Sequence, residues 1–318
     1  MAKFTIEIDI YSDLICAWCY IGKKALDNAM DAYIAQHPDV EFRLTWKPYM
    51  VWPNADVSAY EKGAVIQSIF GHNAPSVRRR VNQLGEQYGI KFKWEGKMGN
   101  TRDAHKLVLL AMERDTTAAA AGSSSSSSSS SSFSPFVFTQ TNPSGTQPSD
   151  DQTATITTTT TTLMDGTTNY HYNNSNNNNS NNNSINNSNR KSNIAHHNAS
   201  LQKMTITRLF ALTFQQGADI SSRAVLAAAA VDLGLCATEA EALAYLSRGE
   251  GEGREGEGEE GGWAPGRMVD ESSARARQIG VRAVPSYVVQ SRWQVGGMQR
   301  EDVWMGVFEK VRRGLGEN

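Results

Sequence analysis

Two cysteines lie close together near the start of the chain, as Cys16-Ala17-Trp18-Cys19, and a third, Cys236, lies far along it. Three cysteines are too few for a disulfide framework, and the spacing of the first two is too short for a structural crosslink. In a reducing compartment, two cysteines separated by two residues are typical of a redox-active dithiol or of half a metal site. These residue types and this spacing therefore favour disulfide exchange or metal binding.

The residues around this pair predict a strand that leads directly into a helix. Residues 4–10 alternate between apolar and polar types, which is the period of a strand with one covered face. After Cys19 the apolar residues recur at helical spacing until Pro38, and residues 41–46 alternate again. The start of the chain is therefore predicted to be a β-α-β unit with both cysteines at its strand-to-helix junction.

This position predicts different roles for the two thiols. Free N–H groups and the positive end of the helix dipole favour a thiolate at the first cysteine, so Cys16 is the expected nucleophile. Cys19 lies one turn further along the helix, where it can attack a mixed disulfide formed on Cys16. Trp18 adds a flat apolar surface beside the nucleophile.

Two other interpretations of the pair remain open at this point. Both thiols could be inert and buried, or they could supply half of a zinc site. Zinc would need two more ligands, and neither Cys236 nor any of the six histidines forms a second pair with ligand-like spacing. We therefore expect no metal.

A proline at the other end of the chain strengthens the redox interpretation. Pro285 precedes a predicted strand over 287–290, and a proline there forfeits a ladder hydrogen bond. It is therefore expected to hold a special backbone geometry, for which a cis peptide is one candidate. If Val284 and Pro285 pack against the cysteines, their backbone can pair with an extended substrate. The alternative is an ordinary turn proline.

The composition divides the chain into ordered and low-complexity parts. Residues 116–200 are largely Ser, Thr and Asn, which cannot build a core and predict a long disordered insert. Residues 248–262 are nearly all Gly and Glu and predict a flexible loop. Helical periodicity is found over 60–69, 76–88, 103–113, 204–215, 222–233, 268–279 and 301–313. The predicted division is 1–54, an inserted helical domain over 55–247, the loop 248–262, and 263–318.

The charge and apolar patterns exclude some classes of partner. The chain has 31 Lys and Arg against 33 Asp and Glu, so it lacks the basic footprint of a nucleic-acid-binding protein. No apolar run approaches the roughly 18 to 20 residues that a membrane span requires. Glu7 and Asp9 stand where a secretory signal would need an unbroken apolar stretch. We therefore expect a cytoplasmic protein with no nucleic-acid or membrane partner.

Four separated segments resemble a known family. They are YSDLICAWCYIGKKAL, NTRDAHKLVLLA, LFALTFQQGADIS and GVRAVPSYVVQSRWQVGGMQ. Together they resemble the DsbA-like thioredoxin-fold family of FrnE type, which is related to 2-hydroxychromene-2-carboxylate isomerases and kappa-class glutathione transferases. The resemblance implies an α/β thioredoxin-like fold with a helical domain inserted after the first β-α-β unit. It also implies that Cys16 is the nucleophile, Cys19 the resolving thiol and Pro285 a cis-proline facing them.

Two departures from the family pattern bear on the chemistry. The family usually has proline after the first cysteine, where this chain has Ala17, and some bacterial relatives have a further cysteine pair near the C-terminus that is missing here. The related isomerases and transferases have serine at the nucleophile position. Cys16 at that position favours thiol–disulfide chemistry.

The resulting hypothesis is a thiol–disulfide oxidoreductase with no bound cofactor. Its expected partners are disulfide-containing proteins or glutathione, the latter as a co-substrate. Trp18, Val284 and His105 are the candidate substrate-binding residues, although a histidine such as His105 is more often a structural residue. The alternatives are a glutathione-dependent isomerase or transferase and a non-enzymatic module that holds extended peptides.

Overall fold

A computed structural model describes residues 3–56, 60–123, 157–162, 168–173, 200–248 and 264–314. The strands within these ranges are β1 (Phe4–Ser12), β2 (Val40–Pro48), β3 (Tyr60–Glu61), β4 (Lys97–Met98), β5 (Thr157–Thr162), β6 (Thr168–Asn173), β7 (Ser286–Val289) and β8 (Trp293–Gly296). The helices are α1 (Ala17–Gln36), α2 (Lys62–Phe70), α3 (Ala74–Gln87), α4 (Arg102–Ser123), α5 (Leu201–Ala211), α6 (Arg223–Asp232), α7 (Glu239–Leu246), α8 (Pro265–Gln278) and α9 (Glu301–Arg312). A 3-10 turn covers Gly71–Asn73, and a π-helical turn, Leu212–Gln216, extends α5.

The central sheet joins the two ends of the chain. Its strand order is β2-β1-β7-β8, with β1 parallel to β2 and antiparallel to β7. Ile10 of β1 lies opposite Trp46 on one side and Tyr287 on the other. Because alternate residues of β1 point into the core, Ile6, Ile8 and Ile10 are all buried, as their alternation predicted. The sheet therefore brings the end of β1, and with it the cysteines, next to the start of β7.

Helices α2 to α7 follow β2 in the chain before α8 leads back to the sheet. The order β-α-β, helices, α-β-β-α agrees with the order predicted from periodicity, and the α/β thioredoxin-like fold class is confirmed. A capping box begins α7 at Thr238. Its hydroxyl accepts a hydrogen bond from the Glu241 amide at 3.1 Å, and the Glu241 carboxylate accepts one from the Ala237 amide at 2.8 Å.

The borders of the low-complexity insert differ from the prediction. Helix α4 continues through Ser123, so the start predicted at residue 116 lies inside a helix. Strands β5 and β6 pair with each other within the insert. The described residues do not include the rest of 116–200 or nearly all of 248–262. The predictions of a disordered insert and a flexible loop concern these residues and stay predictions.

The two helices that flank the insert are held together at their facing ends. The Asp115 carboxylate, on α4, accepts hydrogen bonds from the Ser200 hydroxyl at 2.7 Å, the Leu201 amide at 2.8 Å and the Gln202 amide at 3.0 Å. These are the unpaired donors that begin a helix, so Asp115 caps α5 from a neighbouring helix. The chain therefore leaves and re-enters the fold at adjacent points.

Helix α1 is tied to α5 by a buried ion-pair network. The Asp27 carboxylate lies 2.7 Å from the Lys23 ammonium and 2.8 Å from the Lys203 ammonium. Burial alone would raise the pKa of Asp27, but the two ammonium groups outweigh burial and hold it below its usual range. The sheet is joined to α5 as well, because the Gln202 side chain accepts from the Trp46 amide and donates to the Trp46 carbonyl.

In the part of the chain that the structure describes, none of the helices is both long and apolar enough to cross a bilayer.

Candidate active site

The first cysteine lies where β1 ends and α1 begins. Cys16 is the residue before α1, with extended backbone angles, and its amide donates to the Asp13 carbonyl at 3.1 Å. Its side chain is partly exposed, and its Sγ lies 3.5 Å from the Val284 carbonyl oxygen, which accepts the S–H hydrogen bond. Cys16 therefore combines access from solvent with a position at the helix N-terminus.

The second cysteine is shielded. Cys19 is 2% exposed, and both cysteines are free thiols. Burial raises the pKa of the Cys19 thiol well above its ordinary value, and the nearby Cys16 sulfur raises it further. Hydrogen bonds from the Asp13 amide and the Ser12 hydroxyl oppose these effects only in part. External reagents therefore reach the Cys19 thiol with difficulty, but the Cys19 thiol itself lies next to the Cys16 sulfur.

The proline predicted to face the cysteines lies beside α1. The Val284–Pro285 peptide bond is cis, as the resemblance implied. The Pro285 carbonyl accepts a hydrogen bond from the Gly297 amide at 2.8 Å, which anchors this segment to the end of β8. The Val284 amide makes no hydrogen bond to another described residue. Val284, partly exposed, is therefore adjacent to Cys16 with one backbone donor available.

Sequence reasoning missed the glycine that allows this approach. A Cβ atom on Gly22, in the second turn of α1, would lie 2.6 Å from the Tyr287 hydroxyl oxygen and 3.1 Å from Pro285 Cγ. Real Cβ contacts are longer than this, so only glycine permits α1 and the Pro285 segment to pack so closely. The signal in the sequence is a glycine inside a predicted helix, three residues after Cys19.

Trp18 forms part of the surface beside Cys16. Its side chain is partly exposed, and the Arg80 guanidinium of α3 lies 5.9 Å from the centre of its ring. A cation at this distance over an aromatic face is a weak attractive contact. The contact places a positive charge of α3 next to the cysteine motif.

His105, a candidate substrate-binding residue, is buried rather than exposed. The residue lies in the first turns of α4 and is 1% exposed, because α4 packs against β2, α5 and α8. Its Nε2 lies 3.4 Å from Oδ1 of Asp13, a fully buried carboxylate that sequence reasoning did not single out. The other carboxylate oxygen, Oδ2, accepts from the Val51 amide at 2.6 Å. Asp13 and His105 are therefore buried rather than at the surface.

The remaining candidates lie elsewhere in the fold. Cys236 is buried, and burial raises the pKa of its thiol, so it behaves as a small apolar side chain. The described ranges contain no cluster of three or more His, Cys, Asp or Glu side chains able to hold a metal ion. A cavity of about 400 Å³ between α2 and α3 is lined by residues such as Ile66 and Arg78 and by neither cysteine. The chemistry of the dithiol is therefore separate from that cavity.

Comparisons with known proteins agree with the fold described above. Residues 7–124 match the family model of the DSBA-like thioredoxin domain. A probable DsbA oxidoreductase from Streptomyces coelicolor is 16% identical, with a TM-score of 0.59 over 98% of this chain and 91% of that chain. These matches confirm the DsbA-like thioredoxin fold and the resemblance to that family.

Two further solved structures match with lower TM-scores. The cytosolic disulfide reductase DsbM from Pseudomonas aeruginosa, solved with GSH, is 15% identical, with a TM-score of 0.45 over 96% of this chain and 99% of that chain. A 2-hydroxychromene-2-carboxylate isomerase is 11% identical, with a TM-score of 0.43 over 98% of this chain and 100% of that chain. A comparison with curated protein sequences found no match.

Proposed function

We propose that this chain, which has the DsbA-like thioredoxin fold, is a thiol–disulfide oxidoreductase that acts through Cys16 and Cys19. The observation that carries the proposal is the asymmetry of the two thiols. Cys16 is partly exposed, begins a helix and lies 3.5 Å from the carbonyl before a cis-proline, whereas Cys19 is buried one turn behind it. An exposed nucleophile backed by a shielded thiol suits two-step disulfide exchange.

In the reducing direction, the Cys16 thiolate attacks one sulfur of a substrate disulfide, and the other sulfur leaves as a thiolate. Cys19 then loses its proton and attacks the Cys16 sulfur of the mixed disulfide, which releases the second substrate thiolate. The substrate disulfide is reduced to two thiols, and the two cysteines are oxidised to a disulfide. The oxidising direction is the same sequence in reverse.

The surroundings of Cys16 support an extended or small thiol substrate. The Val284 amide can donate to the backbone of a chain bound beside Cys16, and the partly exposed Trp18 ring offers an apolar contact. Disulfide-containing proteins and glutathione are the proposed partners, with glutathione as a co-substrate and no cofactor bound.

A glutathione redox titration of the full-length protein tests this function. Alkylation of Cys16 and Cys19 is followed at each ratio of reduced to oxidised glutathione. We expect one two-electron transition in the range of about −270 to −120 mV that is typical of thioredoxin-like dithiols. Cys16→Ser should abolish it and Cys19→Ser should accumulate a mixed disulfide, while the matched control Cys236→Ser should leave it unchanged.

Other outcomes of these experiments would contradict the proposed function. If no intramolecular disulfide forms and Cys16 ends as a stable glutathione adduct, a glutathione-dependent isomerase or transferase becomes the better explanation. If Cys16→Ser retains full exchange activity, the dithiol is not the reactive group. Suppression of aggregation by a double variant lacking both thiols would instead favour a peptide-holding module.

A further inference from the structure

Helix α3 carries three consecutive arginines, Arg78, Arg79 and Arg80. Arg79 and Arg80 are exposed, and Arg78 is partly exposed. None of the three forms an ion pair with another described residue. Residues 62–85, which include all of α2 and most of α3, contain no Asp or Glu that could neutralise them locally. This side of the molecule is therefore positively charged and attracts negatively charged groups.

The arginine run begins beside the dithiol. The Arg80 guanidinium lies 5.9 Å from the centre of the Trp18 ring, and Trp18 is two residues after Cys16 in the chain. The Trp18 side chain and Cys16 are both partly exposed. A polypeptide whose disulfide reacts at Cys16 and whose chain continues towards α3 therefore passes Trp18 and Arg80.

The same helix forms one wall of the cavity between α2 and α3. The cavity has a volume of about 400 Å³, within the range of about 300–1,000 Å³ that is typical of ligand sites. Its apolar lining includes Ile66, Ala74 and Pro75, and its charged lining consists of Arg78 and Arg79. The cavity can therefore enclose an apolar group while the arginines at its edge bind a neighbouring carboxylate.

Exposed apolar side chains continue this surface along α2. Ile69 is 63% exposed and Phe70 is 39% exposed. They follow Ile66 by three and four residues, so all three lie on the same side of the helix. On α3 the cavity lining covers about 10 Å, from Pro75 to Asn82. An extended chain spans this length with about three residues, so the surface fits a short segment of polypeptide.

We propose that Trp18, Arg80 and the cavity between α2 and α3 form a docking surface for the polypeptide that carries the substrate disulfide. The segment it selects has acidic side chains and one bulky apolar side chain near the reacting cysteine. This inference rests on the proposed function and deepens it, because it names the class of substrate. Arginine pairs with carboxylates through a planar fork of donors, and Trp and Arg are enriched among the residues that contribute most to binding at interfaces.

The position of the docking surface favours a polypeptide over a phospholipid membrane. Arginines and exposed apolar side chains also suit an anionic membrane. However, the arginine run adjoins Trp18 at the cysteine motif, where a substrate disulfide has to bind. The charge and the cavity therefore lie where they can act on the rate of disulfide exchange.

Three peptides of equal length test the selection. Each has one cysteine activated as a 2-thiopyridyl mixed disulfide; the first also contains Glu and Phe, the second Gln and Phe, and the third Glu and Ala. Attack by the Cys16 thiolate on the peptide sulfur releases pyridine-2-thione, which is measured by absorbance. Attack by Cys19 on the Cys16 sulfur then releases the peptide thiol and leaves the two cysteines as a disulfide. Full-length protein carrying Cys236→Ser is used throughout.

The first two peptides measure the effect of charge. One exposed ion pair changes a rate by about threefold, so two pairs should make the acidic peptide react about tenfold faster than the uncharged one in about 0.01 M salt. This ratio should approach one in about 1 M salt, where the screening length is only about 3 Å. Arg80→Gln should lower the ratio to about threefold, and Arg79→Gln combined with Arg80→Gln should bring it close to one.

Matched variants separate charge at this place from charge in general. Arg79→Lys combined with Arg80→Lys retains both positive charges and should keep most of the ratio. Arg267→Gln removes one charge from an exposed arginine of α8, a helix that packs against α4 and β2, and should leave the ratio unchanged.

The third peptide tests the cavity. Without its bulky apolar side chain, it should react about tenfold more slowly than the first. Gly63 lines the cavity, and a Cβ there meets nothing within 4 Å, so Gly63→Leu narrows the cavity without a clash and should remove this difference. Gly306→Leu in α9, where a Cβ likewise meets nothing, is the control and should preserve it.

Equal wild-type rates for the acidic and uncharged peptides, or a ratio that Arg80→Gln leaves unchanged, would overturn the proposal. Equal rates together with binding to vesicles of phosphatidylserine and phosphatidylcholine, lost in the variant with Gln at both 79 and 80, would assign the surface to a membrane and overturn it too. A wild-type protein that reacts with none of the peptides would instead refute the proposed function. So would a Cys19→Ser variant that releases free peptide as fast as wild type.

Discussion

Replacement of Gly22 by alanine is expected to force apart α1 and the segment that carries Pro285. The new Cβ would lie 2.6 Å from the Tyr287 hydroxyl oxygen. Tyr287 is 1% exposed, and its ring packs edge-on against the Trp304 ring, with the two ring centres 4.7 Å apart. The Tyr287 side chain therefore has little freedom to move away. Overpacking of this kind costs about 1–3 kcal/mol.

Alanine also improves helix propensity by about 0.5–1 kcal/mol, which partly hides that cost. Gly306→Ala in α9 is the matched control, because a Cβ there meets nothing within 4 Å. The overpacking cost is the difference between the two variants in the free energy of unfolding, which we expect to be about 1–3 kcal/mol. Equilibrium urea unfolding of the full-length protein, followed by far-ultraviolet circular dichroism, measures it.

A double-mutant cycle identifies the responsible contact. The Tyr287 hydroxyl is buried and has no hydrogen-bond partner among the described residues, so Tyr287→Phe alone should cost little. Combined with Gly22→Ala, it removes the atom that the new Cβ meets and should recover at least about 0.5 kcal/mol. Strictly additive effects, or equal effects of alanine at Gly22 and Gly306, would refute the packing argument.

Three further outcomes follow from the geometry. Asp27→Asn should lower the free energy of unfolding by about 3 kcal/mol at pH 7, because it leaves the buried Lys203 ammonium facing a neutral amide. Since the folded pKa of Asp27 lies below the ordinary value of 3.8, its stabilisation is complete above 3.8 and decreases as the pH falls from there towards the folded pKa. The urea midpoints of wild type and variant should therefore differ less at pH 3 than at pH 7, and an equal difference at pH 7, 4 and 3 would contradict the assignment. Iodoacetamide followed by peptide mass spectrometry should label Cys16 well before the buried Cys19, and equal rates would contradict the asymmetry of the two thiols. Thr238→Ala removes the cap of α7 and should cost about 1 kcal/mol in urea unfolding, whereas Thr238→Ser should cost much less.

The position of Cys16 and Cys19 in the fold could be predicted from the sequence because it depends on neighbouring residues. The alternation in β1 and the helical spacing after Cys19 are properties of neighbouring residues, so they place the dithiol at a strand-to-helix junction without knowledge of the rest of the chain. The cap at Thr238 was readable for the same reason. The end of α4 was not, because the alanines that continue the helix merge into the low-complexity residues that follow them.

The contacts that complete the candidate site were decided by tertiary structure. The Cys16 sulfur and the Val284 carbonyl are 268 positions apart, and only the pairing of β1 with β7 brings them together. His105 illustrates the same limit, since its type and helical position were evident but its burial against Asp13 was not. Sequence periodicity specifies which face of an element is covered, whereas the partner on that face depends on how distant elements pack. The sequence by itself thus determined the fold class and the position of the two cysteines, and the tertiary structure alone decided what surrounds them.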